Sequence, residues 1–153
     1  MGKMGKFDAK GLEKFQKQLQ SLQNPDVFVE ACAKELAARL LRIVVKRTPV
    51  KNYPKSTGKK GGTLRRGWTG EKRSSAQGYA ESLKVNHFGD TYVIEIVNPV
   101  EYASYVEYGH RTANHKGWVK GHFMMTISEQ ELQRMAPKVL ENKIEKYLGR
   151  VFK

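Results

Sequence analysis

Residues 82–98 read Ser-Leu-Lys-Val-Asn-His-Phe-Gly-Asp-Thr-Tyr-Val-Ile-Glu-Ile-Val-Asn, and they decide between an all-helical chain and a mixed one. Leu83, Val85 and His87 alternate with polar residues. Gly89-Asp90 supplies a turn, and Tyr92, Ile94 and Ile96 then alternate with Val93, Glu95 and Val97. Period-two alternation around Gly-Asp predicts a β-hairpin, closed by Pro99. The second strand is apolar on both sides, so both of its faces are expected to be covered.

Outward from the hairpin the period changes to that of a helix. Leu12, Phe15, Leu19 and Leu22 predict an amphipathic helix over residues 7–23, with Asp8 as its cap. Asn24-Pro25-Asp26 then starts a long helix running to Arg47, since Asn caps well and Pro suits the first helical position. Its expected buried stripe is Val27, Phe28, Ala31, Leu36, Leu40, Ile43 and Val44. Thr48-Pro49 ends it, because proline pushes the residue before it out of the helical region. Beyond the hairpin, Tyr102, Tyr105 and Tyr108 line one side of a short helical turn that Gly109 stops. Residues 110–121 read as a polar loop carrying Trp118. Ser128 and Glu131 form a capping box, with Ile127 and Leu132 as its staple, that predicts the start of the last helix. That helix buries Leu132, Met135, Val139, Leu140, Ile144, Tyr147 and Leu148, and Pro137 should kink or split it. The expected fold class is α+β: N-terminal helices, a small antiparallel sheet packed under the long helix, and a kinked C-terminal helix. With 153 residues the chain is expected to form a single domain.

Charge is concentrated. The net charge is +13, and residues 42–73 carry eleven Lys/Arg against the single acid Glu71, so this stretch alone holds +10. Such an excess implies an acidic partner, either nucleic acid or an acidic protein surface. Residues 50–78 are poor in apolar side chains and are expected to form a long basic loop or arm. Leu64 and Trp68 within it either anchor it to its own body or dock on a neighbour. No run of about 18 apolar residues exists to span a membrane, and the basic start lacks the apolar centre of a signal peptide, so a cytoplasmic site of synthesis is expected. Cys32 is the only cysteine, which excludes an internal disulfide, and it reads as a small apolar filler.

No catalytic constellation is visible. His110, His115 and His122 lack the spacing of a helical ligand pair, His87 reads as structural, and Glu101 and Glu107 are too far apart in sequence to share a helix face. Gly58-Lys59-Lys60-Gly61-Gly62-Thr63 misses the spacing of a phosphate loop. The chain is therefore expected not to be an enzyme and to need no cofactor, catalytic residue or metal.

Several blocks, taken in order, carry a resemblance. Arg47-Thr48-Pro49-Val50 ends a helix. Thr63-Leu64-Arg65-Arg66-Gly67-Trp68 follows, then Asn98-Pro99, then Tyr102-Ala103-Ser104-Tyr105-Val106-Glu107-Tyr108-Gly109-His110. Gly121-His122-Phe123-Met124 leads into the last helix. From about Leu40 onward this resembles the small tail-component proteins of lambdoid tailed phages, placed at head–tail joining or tail completion. The resemblance implies a structural virion protein at the neck or proximal tail of a long-tailed phage. It implies a homo-oligomeric ring, commonly a hexamer, through which DNA passes. Its partners would be head-closure or connector proteins on one side and tail-terminator or tail-tube proteins on the other, with transient DNA contact and no membrane. Interface residues expected on this basis are Leu64, Arg65, Arg66, Trp68, Tyr105, Glu107, Tyr108 and Trp118. The alternative is a small basic nucleic-acid-binding protein, which the charge alone supports.

Overall fold

The computed structural model describes residues 25–70 and 75–151. The fold is α+β. Helix α1 spans Asp26–Arg47. Asp26 in its first turn and Lys46 and Arg47 in its last complement the helix dipole. It stops at Thr48, whose ψ of 124° is extended, as the following proline requires. Asn24 and the helix expected over residues 7–23 lie outside the described residues.

The buried stripe of α1 differs from the expected one. Its buried residues are Cys32, Ala37, Ala38, Leu41 and Val44, of which only Val44 was expected. Val27 is 73% exposed, and Leu36, Leu40 and Ile43 are half-buried at the edges. The physical reason is that α1 is central, touched by three helices and the hairpin. The closest approach goes to the small residues Ala37 and Ala38, while the larger side chains reach around them. Burial also pushes the Cys32 thiol pKa up, which keeps it protonated and weakly nucleophilic.

The stretch 50–78, expected as a long loop or arm, is not a loop throughout. It holds a 3-10 turn at Lys55–Thr57, helix α2 at Thr63–Gly67 and the start of helix α3 at Ala76–Ser82. Ser75 caps α3 by accepting from the Gly78 amide, and α3 packs along α1. Leu64 and Trp68 are each 5% exposed and belong to the core with Ala37, Ala38, Leu41, Val44, Ala80 and Met124. Of the two alternatives for this pair, the chain's own body is the one realised.

The expected hairpin is present. Strand β1, Val85–Phe88, pairs antiparallel with β2, Thr91–Ile94, around Gly89-Asp90, where Gly89 has a φ of 58°. Helix α1 lies against β2, as expected. The Tyr92 hydroxyl donates to the Asp26 carboxylate, and that hydrogen bond pushes the phenol pKa up to about 12. Only one face is covered, however. Ile94 and Ile96 are half-buried, whereas Val93 and Val97 stay exposed among the described residues.

Helix α4 covers Ala103–Tyr108 and ends at Gly109 with a φ of 85°. The expected polar loop after it is instead a second hairpin. Strand β3, Gly109–Arg111, pairs with β4, Trp118–Lys120, in a separate two-stranded sheet. Thr112 organises its tip, bonding Asn114 and Gly117. Helix α5 runs Met124–Val151 without a break at Pro137. It is not split there, because proline sits on an exposed turn where water can serve the freed Gln133 carbonyl. Its start is also corrected. Ser128 lies inside the helix, buried, with its hydroxyl donating to the Met124 carbonyl. Toward its end Ile144 and Leu148 are exposed rather than buried.

Candidate functional site

The blocks that carry the sequence resemblance meet in two junctions, and both hold the fold together. At the first, Thr48 is the hub. It is 1% exposed, donates its hydroxyl to the Val44 carbonyl and accepts the Trp68 indole N–H at 2.8 Å. Its carbonyl accepts from the Arg65 guanidinium, with Nη2 at 2.8 Å. Asn98 donates to the Leu64 carbonyl at 2.8 Å, and the Asn98 side chain sits so close to Gly67 that a Cβ there would meet Oδ1 at 2.2 Å. Thr-Pro, Leu-Arg-Arg-Gly-Trp and Asn-Pro are thus one interlocked unit. Arg65 ties α2 to the end of α1 within that unit. Arg66 is exposed and bonds the Gly61 carbonyl and the Thr63 hydroxyl.

At the second junction Glu107 caps α5 from outside that helix. It is 7% exposed. Its carboxylate accepts from the Met125 amide at 2.8 Å, the Thr126 amide at 2.9 Å and the Thr126 hydroxyl at 2.7 Å. These are amides at the positive end of a 28-residue helix, where a carboxylate is favoured. The partners of the Glu107 carboxylate are therefore internal. The backbone repeats the link: His122 N–H donates to the Val106 carbonyl and Phe123 N–H to that of Glu107. Capping from a different element has no local sequence signal, which is why Ser128 was the expected cap. Glu107→Gln should lower stability by about 2 kcal/mol, since its amide nitrogen would face a donor. Glu101→Gln, at an exposed position, should leave the thermal midpoint unchanged. Equal melting of the two variants would contradict the capping role.

With these residues assigned to the scaffold, the exposed chemistry stands out. Tyr105, Tyr108 and Trp118 are 59%, 63% and 62% exposed. Tyr102, Tyr105 and Tyr108 follow at three-residue steps along α4 and its cap, and the Trp118 indole lies against Gly109, where α4 ends, so these exposed rings adjoin as an aromatic ledge. Tyr105 stands against His110, whose Nδ1 is buried and without a partner among the described residues. Beside the ledge lies the basic loop, residues 51–60, exposed throughout. Lys51 and Lys59 bracket the Tyr53 ring, with Nζ 5.2 and 5.9 Å from its centroid. A second basic region escaped sequence reading. Arg39 on α1 and Lys143, Lys146 and Arg150 on α5 line one cleft beside the stacked pair Phe28–Tyr147, with Glu35 as its carboxylate. Two helices a hundred residues apart bring them together, so no local charge run marks it.

Among the described residues no three His, Cys, Asp or Glu are placed to hold a metal ion, and no helix is long and apolar enough to cross a membrane. A family model described as "Bacteriophage HK97-gp10, putative tail-component" matches residues 13–109. That span takes in the Thr48 junction and, from the second, Val106 and Glu107. No curated protein and no solved structure matches the chain.

Proposed function

The chain belongs to the HK97-gp10-like family of bacteriophage tail components, and from that premise we propose that it is a structural, non-enzymatic subunit of a ring at the neck of a long-tailed phage. As a tail component it is a protein of the virion. The finer placement is head–tail joining or tail completion, in a ring of six by the resemblance, with head-closure or connector proteins and tail-terminator or tail-tube proteins as neighbours.

The observation that carries this is the aromatic ledge. Tyr105, Tyr108 and Trp118 keep most of their surface in water while buried residues elsewhere hold the fold. Exposed aromatics on adjoining elements suit an assembly surface, where tyrosine and tryptophan bury much area at little entropic cost. The basic cleft between α1 and α5 favours a second role within the same ring, transient contact with the phosphates of passing DNA.

Replacing Tyr105, Tyr108 and Trp118 by serine should leave the melting temperature nearly unchanged, because these side chains are exposed, yet yield heads and tails that fail to join. Electron microscopy of particles made with the variant reads this directly. Normal joining would remove the ledge from assembly, and normal joining with altered DNA release would favour the channel role.

A further inference from the structure

We propose that the basic loop of one copy seats in an acid-rimmed apolar groove of the next copy, and that this is the repeating contact of the ring. The inference rests on the ring proposed above and assigns its two surfaces.

The groove lies beside the first hairpin. Phe88, Val93 and Met125 line it, and Glu95 and Glu129 line it too, with no cation among its lining residues. Phe88 is 66% exposed. An exposed phenylalanine beside an exposed valine on a strand is a surface that gains from being covered.

The loop has the opposite pattern. Tyr53 lies between Lys51 and Lys59, which both stand over its ring. The concavity behind the loop is lined by Lys51 and Lys60 with no carboxylate. None of Lys51, Lys55, Lys59 and Lys60 has a carboxylate within ion-pair distance among the described residues. A ring flanked by two ammonium groups matches an apolar floor flanked by two carboxylates. Placing Tyr53 over Phe88 and Val93 would bring Lys51 and Lys59 toward Glu95 and Glu129.

A second copy is the fitting occupant for two reasons. The loop and the groove share no residue, and no hydrogen bond or ion pair joins them within the described chain. A cyclic ring also requires two different, complementary surfaces on every subunit, each free to engage a separate neighbour.

The test is the solution mass of the purified full-length chain by light scattering, with circular dichroism as the check of folding. Wild type should exceed monomer mass. Lys51→Glu with Lys59→Glu should weaken association by about tenfold or more, as should Glu95→Lys with Glu129→Lys, and the chain carrying all four changes should recover it. Where a reversed pair fails to fold, the Gln versions should give the same loss in milder form. Oligomers indifferent to both reversals would overturn the loop-in-groove contact while leaving the ring intact. Losses that the fourfold variant does not recover would overturn the pairing. A change in melting temperature without a change in mass for Glu95→Lys with Glu129→Lys would mean the groove serves the fold of its own chain, which overturns it as well. Wild type that stays monomeric at every concentration would remove the ring and this contact together.

Discussion

Replacing Trp68 by alanine is expected to cost about 3–5 kcal/mol, the range for an aromatic removed from a packed core. The indole is 5% exposed and packs with Leu64 against α1. Its N–H satisfies the hydroxyl of Thr48, itself 1% exposed. The substitution therefore opens a cavity and weakens the tie between the end of α1 and α2. For a chain of this length the midpoint of thermal unfolding should fall by about 10 °C. Trp68→Phe keeps most of the volume and loses only the hydrogen bond, so it should cost about 1 kcal/mol. Trp118→Ala should be nearly silent in the same measurement, because that ring is 62% exposed. Similar midpoints for Trp68→Ala and Trp118→Ala would mean the core does not include α2.

The two tryptophans show where sequence reasoning stops. Each sits in a polar, glycine-containing stretch, and nothing local distinguishes them. Trp68 is held by a threonine 20 residues upstream and by an alanine-lined part of α1. Neither contact leaves a periodic trace. What was legible had local causes: the end of α1 at Thr48-Pro49, the Gly89-Asp90 turn, the stop at Gly109. The stripe of α1 was displaced because the period of large apolar residues marks the rim of a central helix, whereas alanines mark its closest contacts. The second hairpin was missed because its strands are three residues each, too short to show alternation. Of the candidate site, the tyrosines and Trp118 were recognisable as aromatics without a local home. Leu64, Trp68 and Glu107, picked out by the same blocks, are buried, and Arg65 bonds the end of α1.

The same distinction between scaffold and surface leads to the largest expected effect, at Gly121. A Cβ there would lie 2.4 Å from the Glu107 carbonyl oxygen, 2.5 Å from the Tyr108 carbonyl carbon and 2.7 Å from the Gly109 nitrogen. All three are backbone atoms, so no side chain can rotate away. Gly121→Ala must push the 121–123 segment off α4. That movement breaks the His122–Val106 and Phe123–Glu107 backbone bonds and draws the first turn of α5 away from the Glu107 carboxylate. One methyl group thereby removes several hydrogen bonds and exposes Met124, which is fully buried. The expected loss exceeds about 4 kcal/mol, at the extreme of single substitutions, and should appear as a collapse of soluble yield or a midpoint lower by more than about 10 °C. Gly89→Ala separates the causes. Its φ of 58° disfavours any side chain, but nothing lies within 4 Å of the added methyl. It should cost only about 1 kcal/mol, the conformational penalty alone. If Gly89→Ala were the more damaging, backbone conformation rather than close approach would govern these glycines. With the expected order, the junction of α4 with α5 is a rigid mount, and the ledge of Tyr105, Tyr108 and Trp118 keeps a fixed shape, so the assembly role proposed for it would carry little cost of ordering.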